Sequence, residues 1–576
     1  MGKHYRTGKT MRQPTARSAL RLIHRLMCSG SEWAGWAVIV GLCVGVGTTP
    51  QSSDVQRSLP SAHPLNTVPA NPRTAVRRHP DPVNFAVDRT LGKRIITLAG
   101  PITIAMLTQT AINLIDTIMV GRLPSEWSIA GQSAIGISLI LLWAIGGTIS
   151  TMVAVGTQAL CARRFGEGDA RAAGAVFNNA ALVAAVVSVI AMVGVLIALP
   201  YIFPWLHKSP QVVSLGIEYT TIRFIGMPSM VLTIVYKGFF DGVGQTTIHM
   251  KAAIAMNIAN VILNYCLIFG IGPFPQMYVA GAALASLIAT FIGLFLMIYY
   301  SVIERNRRQF GLYSGGLSKR VVASVVKVGI PGGLATFFLM TGFGAFIAIV
   351  GWLDMERLAV ASRQLADYPG LAIGTFAMDP SVVWTADLHR RVLLDNPPIF
   401  TAATKVIMDI MSVVAISCIA FGQATATLVG QALGARDPKL AESFGWESAK
   451  IGGYFMGTVG LIIIAIPDAI AGVFNPDPTV VGAARDALRV MASGAGIIAV
   501  GMILMQSLFG AGETLYVMVV ELVLHFFCLV PVAYLFGIYL DGGLLGIWGA
   551  ALAYTALLTS AMVWKFRSGT WKDRRI

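Results

Sequence analysis

The sequence predicts an all-α polytopic membrane protein whose twelve transmembrane helices form two pseudo-symmetric six-helix lobes. Three observations predict it. Of 576 residues, 55% are hydrophobic and only 12% are charged. An average soluble domain carries roughly 25% charged residues, and a soluble chain this long could not cover its surface with half of that. From Ile95 onward, long apolar runs alternate with short polar connections. Motifs of the first half also return in the second at a fixed spacing.

Residues 1–94 form a basic arm with Pro14, Pro50, Pro60, Pro64, Pro69, Pro72, Pro80 and Pro82, a composition that predicts disorder. Within it, Trp33 to Gly47 is a 15-residue apolar run behind Arg17, Arg21 and Arg25. It falls short of the ~20 residues of a spanning helix, so it reads either as a signal-peptide core or as an extension outside the working protein. Spans are expected near 95–121, 129–160, 174–200, 212–239, 248–271, 279–303, 321–352, 400–433, 446–466, 481–509, 514–539 and 543–566. Each can cross a hydrocarbon core of ~30 Å at ~1.5 Å rise per residue. The first lobe then covers 95–303, a cytoplasmic linker 304–320, the second lobe 321–567 and a basic tail 568–576.

Lys and Arg concentrate on the cytoplasmic side of membrane proteins. Connections after even-numbered spans hold Arg163, Arg164, Arg171, Arg305, Arg307, Arg308, Lys319, Arg320, Arg436 and Lys439, against Arg122 after the first span, Lys208 after the third and none between Gly272 and Tyr278 after the fifth. Both termini are therefore expected in the cytoplasm, and the protein in the cell's inner (plasma) membrane, surrounded by lipid. The six cysteines form no CxxC pair, so neither a disulfide framework nor a zinc site is indicated.

Gly166-x-x-Asp169 recurs as Gly434-x-x-Asp437, Gly242-x-Gly244-x-Thr246 as Gly510-x-Gly512-x-Thr514, and Gly281-Ala-Ala-Leu-Ala285 as Gly549-Ala-Ala-Leu-Ala553. All three pairs lie 268 residues apart. Pro101 matches Pro331 at 230, so the second half carries 38 extra residues, within roughly 353–399. That external insertion reads as an ordered cap, a disordered loop or misjoined coding sequence; its lack of an apolar period favours the last two. Paired six-helix repeats are a transporter architecture, with sites near the midplane.

Charged groups within a bilayer cost at least ~2.5–3.5 kcal/mol each, so they mark candidate sites. In the first span, Gln109, Asn113 and Asp116 are spaced i, i+4, i+7 and share one face; in the fifth, Asn257, Asn260 and Asn264 do likewise at i, i+3, i+7. Facing each other, the two stripes would form a pocket around one carboxylate, fit to carry a proton or to bind Na⁺ at Asp116. The plainer reading is an interhelical hydrogen-bond cluster that holds the bundle together. Pro101 removes a backbone hydrogen bond and is either a hinge or a static kink. Asp409, a buried acid beside Lys405, and Glu521, beside His525, are secondary candidates that also read as neutralised structural pairs. No Walker loop, HExxH or GxSxG occurs, so there is no catalytic site and no cofactor is implied; uphill transport would draw on an ion gradient, H⁺ or Na⁺.

The string from Gln109 through Asp116 to Gly121, the run Gly430-Gln431-Ala-Leu-Gly434-Ala-Arg-Asp437-Pro438, the Gly-x-Gly-x-Thr pairs and Asn260-x-x-x-Asn264 resemble the multidrug and toxic compound extrusion (MATE) transporters, in particular their bacterial NorM-like branch. The resemblance covers about 95–567 apart from the insertion. It implies two lobes around a central cleft and cation-coupled export of amphipathic, often cationic, small molecules by a monomer. It also implies that Asp116 is the first-helix acid that binds H⁺ or Na⁺, that Asn260 is its fifth-helix partner and that Pro101 is the point where the first helix bends. Asn264 stands where several members have an aspartate. Leu339 and Ile498 stand where NorM-like members have a glutamate and an aspartate, which favours coupling through Asp116.

Two other functions compete with efflux: a lipid-linked saccharide flippase of the same superfamily, which would want arginines lining the cleft, and an intramembrane aspartyl protease using Asp116 and Asp409, for which the Gly-x-Gly-Asp contexts are missing. A channel or scaffold would not need two lobes with a buried acid in one. The formal charge of +15 first suggests nucleic acid. Residues 1–94 supply +10 of it and residues 565–576 +4, leaving a body of +1, so no nucleic-acid partner is expected.

Overall fold

A segment inside a bilayer must satisfy every backbone N–H and C=O within itself, which selects helices for these apolar runs. A computed structural model describes residues 86–121, 123, 125–206, 210–271, 273–366 and 399–574; among them there are helices and no strands. The helix α1 is Arg89–Gly121, and α2 joins Ser125–Leu141 to Thr148–Gly166 through a π-helical turn, Leu142–Gly147. There follow α3 (Ala170–Leu206), α4 (Pro210–Ile225), α5 (Met227–Gly242), α6 (Thr246–Phe269), α7 (Tyr278–Val302) and a short α8 (Glu304–Phe310) in the linker. The second half holds α9 (Lys319–Ala366), α10 (Ile399–Gly434), α11 (Pro438–Ala465), α12 (Pro467–Phe474), α13 (Pro478–Ser493) and α14 (Ala495–Ala511). Then come α15, which starts at Thr514–Leu524 and continues through a π-helical turn at His525–Leu529 to Tyr539, and α16 (Gly543–Ser568).

By length and composition, ten helices among the described residues can cross a membrane, or eleven if α13 and α14, bent by 53° at Gly494, count as one span. The expectation of twelve exceeds this because α4 and α5, 16 residues each, carry Glu218, Arg223, Lys237 and Asp241 and lack a sufficiently apolar window. Their break at Gly226 (φ −78°, ψ −7°) nonetheless repeats the break at Gly494 (φ −87°, ψ −3°), 268 residues later.

The repeated motifs are turns and crossings. Gly244 and Gly512 sit at φ +81° and +87°, where a side chain is strained, and each is followed by the helix that its threonine begins. The Asp169 carboxylate accepts the Ala172 N–H at 2.8 Å and that of Asp437 accepts Leu440 N–H at 2.9 Å, capping α3 and α11. Gly166 and Gly434 lie where α2 crosses α10: a Cβ on Gly166 would press on the Gln431 backbone and one on Gly434 on the Arg163 backbone. Arg163 and Gln431 are themselves 268 apart, so the crossing has local two-fold symmetry.

The two largest clusters of buried side chains are drawn from residues 142–325 and from 335–571 with Ile95. The first helix of each half starts against the other half. On α1, Ala99 and Ile102 pack with Ala420 and Ala424 of α10, Arg94 stacks over Phe444 at 5.4 Å, and the Asp88 N–H donates to Glu447 at 2.9 Å. On α9, Val325 joins the first cluster and Gly333 lies against Met152 and Thr148 of α2.

Several boundaries are corrected. The arm ends before 94, because the Asp88 carboxylate caps α1 by accepting from the Thr90 and Leu91 N–H groups. The insertion is not structureless at its start: α9 continues through 353–366, and Asp354 accepts from the Phe400 and Thr401 N–H groups at 2.9 and 2.8 Å, tying the end of α9 to the start of α10. Residues 367–398 of the insertion and 1–85 of the arm lie outside the described residues. The tail is docked: Trp571 is fully buried, stacks on Phe566 at 4.6 Å and donates its indole N–H to the Phe566 carbonyl.

Candidate cation-binding site

The asparagines of α6 are buried as the i, i+3, i+7 spacing requires, at 3%, 5% and 0% exposure for Asn257, Asn260 and Asn264. They form a ladder: Asn264 Nδ2 donates to Asn260 Oδ1 at 3.1 Å, and Asn260 Nδ2 donates to Ser286 Oγ of α7 at 3.2 Å. The first rung reaches α1, where Asn257 Nδ2 donates to Thr108 Oγ1 at 3.0 Å. The amides thus link three helices, α1, α6 and α7. Thr108 and Ser286 carry no sequence signal of their own, although Thr108 adjoins Gln109 and Ser286 directly follows the Gly-Ala-Ala-Leu-Ala motif.

Gln109 is half-buried on α1. Asn113 and Asp116 lie further along the same helix, but their side chains are outside the described residues. Pro101 lies inside α1, whose helical hydrogen-bonding pattern runs through it from Arg89 to Gly121. Asp409 is not buried: its side chain is 36% exposed and pairs with Lys405, itself 70% exposed. Its neighbours Ala403, Ile407 and Ile410 take the buried face of α10, which turns this pair outward. Glu521 is buried at 3% exposure, with His525 one turn on. His525 Nδ1 lies 3.0 Å from Glu521 Oε2, and the Tyr554 hydroxyl of α16 donates to the same oxygen at 3.0 Å.

A further polar cluster joins the halves beside the α2–α10 crossing. Asp241 is fully buried, with Lys237 Nζ at 3.5 Å and His249 Nδ1 at 3.6 Å. Lys237 Nζ also donates to Gln423 of α10 at 2.6 Å, Thr427 donates to the Asp241 carbonyl at 3.0 Å, and Gln431 donates to the Gly242 carbonyl at 2.9 Å. Gln158 of α2 completes it, donating to the Gln423 carbonyl and the Thr427 hydroxyl. A buried carboxylate is tolerated in a bilayer only with such partners. Neutral amides far apart in sequence gave no signal of this cluster.

The MatE family model matches residues 101–266 and 393–535, more than half of the chain. The chain belongs to the MATE family. It is a multi-pass membrane transporter, and its family are not enzymes. The gap between the two matched stretches, 267–392, holds the sixth and seventh expected spans and most of the insertion. The transporter is 24% identical to a probable multidrug resistance protein NorM of Thermotoga maritima over 84% of this chain and 94% of that protein. It is 25% identical to the multidrug resistance protein PmpM of Pseudomonas aeruginosa, over 70% of this chain and 77% of the relative. Its fold matches an outward-facing multidrug resistance MATE family transporter of the MOP superfamily with a TM-score of 0.70 at 20% identity, covering 84% of this chain and 97% of the other. A MOP superfamily transporter from Pyrococcus furiosus, described as having a binding pocket of reversed polarity that suggests a different function, matches with the same score, identity and coverage.

Proposed function

We propose that this transporter exports small amphipathic, often cationic compounds in exchange for H⁺ or Na⁺, with Asp116 as the coupling acid. One observation carries the proposal: the buried amide ladder of α6 is hydrogen-bonded through Asn257 to α1, the helix on which Asp116 stands. A cation taken up at Asp116 changes the charge on α1, two helical turns beyond that link, and α1 in turn starts against the other half at Ala420 and Ala424. Loading at Asp116 thereby reaches the seam between the halves. Names of the relatives as multidrug resistance proteins support the cargo class.

Twelve spans result when α4 and α5 are counted together as the repeat counterpart of α13 and α14, since Pro210 and Pro478 are 268 apart. Six belong to each lobe, both termini are cytoplasmic, and the monomer works in the inner membrane. The α2–α10 crossing and the Lys237–Gln423 and Gln431–Gly242 bonds then close the cytoplasmic side. Export requires the opposite opening, so these bonds break once per cycle.

The test is ethidium efflux from proteoliposomes with pH and Na⁺ gradients imposed separately. Wild type is expected to respond to one of them, and Asp116→Asn to lose that response by at least about tenfold, the equivalent of ~1.4 kcal/mol. Efflux by Asp116→Asn equal to wild type under both gradients would sink the reading.

A further inference from the structure

We propose that Glu521, His525 and Tyr554 form a second proton-carrying site, in the C-terminal half, that acts through α9. The proposal deepens the export reading by adding a proton path separate from Asp116, and it rests on geometry in α15, α16 and α9.

His525 Nδ1 lies 2.9 Å from the Glu521 carbonyl oxygen and 3.0 Å from its carboxylate Oε2. The carbonyl and the ionised carboxylate are both acceptors, so Nδ1 carries a hydrogen toward them; the Tyr554 hydroxyl lies 3.3 Å from the same Nδ1. The Tyr554 hydroxyl donates to the same carboxylate oxygen at 3.0 Å. The remaining ring atom, Nε2, is buried and has no hydrogen-bond partner among the described residues. That lone pair is where one proton adds or leaves, and no other bond has to change. With the proton on, imidazolium and carboxylate form a neutral pair; with it off, the carboxylate keeps its charge and the Tyr554 hydrogen bond.

Three features separate this site from a plain structural pair. His525 opens a π-helical turn, a widening that recurs at functional sites in helices. At the 268-residue offset, His525 corresponds to Asn257 and Tyr554 to Ser286, so the second half carries titratable groups where the first carries its amide ladder. Finally, α9 lies directly on the imidazole: a Cβ on Gly342 would stand 2.9 Å from His525 Cβ, and the Phe343 ring is 6.1 Å from the imidazole. That helix starts against α2 at Gly333, so it touches both halves, as α1 does. Of the elements packed around the site, α16 presents Tyr554, α9 presents Gly342 and Phe343, and α14 carries no titratable side chain. Cys528 is the other titratable group nearby, on α15 itself.

The experiment has two arms on the full chain in lipid nanodiscs and proteoliposomes. In the first, ¹⁵N-histidine NMR follows the histidines against pH, with His525→Gln assigning the signal. His525 is expected to keep Nδ1 protonated throughout and to titrate at Nε2; a ring that never titrates between mildly acidic and mildly basic pH overturns the proposal. This arm needs no cargo, so it stands even if ethidium is not exported at all. In the second, ethidium efflux is measured against internal and external pH for wild type, Asp116→Asn, Glu521→Gln, His525→Gln and Tyr554→Phe. Tyr554→Phe is expected to shift the pH profile, and Glu521→Gln and His525→Gln to lower pH-driven efflux by about tenfold or more while equilibrium ethidium binding stays within about twofold. Variants that only melt lower and keep the wild-type pH profile assign the trio a structural role and overturn the proposal. Loss of efflux in Asp116→Asn alone leaves the export reading intact and refutes the second site.

Discussion

Gly166→Ala and Gly434→Ala each put a methyl group into the seam where α2 crosses α10. A Cβ added at Gly166 would lie 2.7 Å from both Cα and C of Gln431, with the carbonyl oxygen nearer still, while ordinary contact begins at 3.4 Å. The two helices must therefore part by at least 0.7 Å, the difference between those distances, since backbone cannot rotate aside as a side chain can. Overpacking of this kind costs about 1–3 kcal/mol, and the better helix propensity of alanine returns at most ~1 kcal/mol. A net loss of about 2 kcal/mol corresponds to a fall of about 2 °C in apparent melting temperature for a chain of this size. Thermal unfolding in detergent reads it, ranked against Gly549→Ala, where the new Cβ meets nothing within 4 Å. The double variant adds a diagnostic. Once the first methyl has parted the helices, the second finds room, so the pair should cost clearly less than the sum of the singles. If Gly166→Ala melts with Gly549→Ala, or if the double variant is additive, the described crossing is wrong.

Other substitutions follow from the same contacts. Gly281→Ala should lower the melting temperature although its repeat partner Gly549→Ala does not, because the Gly281 Cβ would lie 2.7 Å from the Leu267 carbonyl; equal effects would contradict the structure. Lys237→Met leaves the buried Asp241 carboxylate without its cation, a loss of about 3–5 kcal/mol, read as a fall in folded yield and melting temperature. Adding Asp241→Asn should restore much of it, and no rescue would mean that the pair is not coupled. Trp571→Ala removes a fully buried indole and should cost about 3–5 kcal/mol, with earlier proteolysis of the last residues as a second readout.

Much of this fold is legible without coordinates. Helices in a bilayer are dictated locally, so apolar length alone located most spans to within several residues. The motifs at the 268-residue offset also read correctly as a repeat, because a left-handed turn favours glycine, as at Gly244 and Gly512, and a helix start favours aspartate. Partners across helices were not legible. Asn257, Asn260 and Asn264 could be placed on one face from their spacing, but that Asn260 turns to Ser286 and Asn257 to Thr108 depends on where α1 and α7 pack. The exposure of Asp409 had the same origin: i, i+4 spacing pairs it with Lys405 whichever way that face points.

The sequence by itself determined what local chemistry determines: a polytopic helical membrane protein, its repeat, its turns, and a first helix bearing an acid amid an apolar run. Tertiary structure alone decided which polar groups meet. The bonds from Lys237 to Gln423 and from Thr427 to Asp241, the crossing of Gly166 over Gln431, and the placing of Tyr554 and Gly342 around His525 join residues far apart in the chain. No periodicity encodes such meetings. They arise because small residues let helix backbones approach closely, and a polar side chain held there must find its partner in protein, since the surrounding lipid offers none.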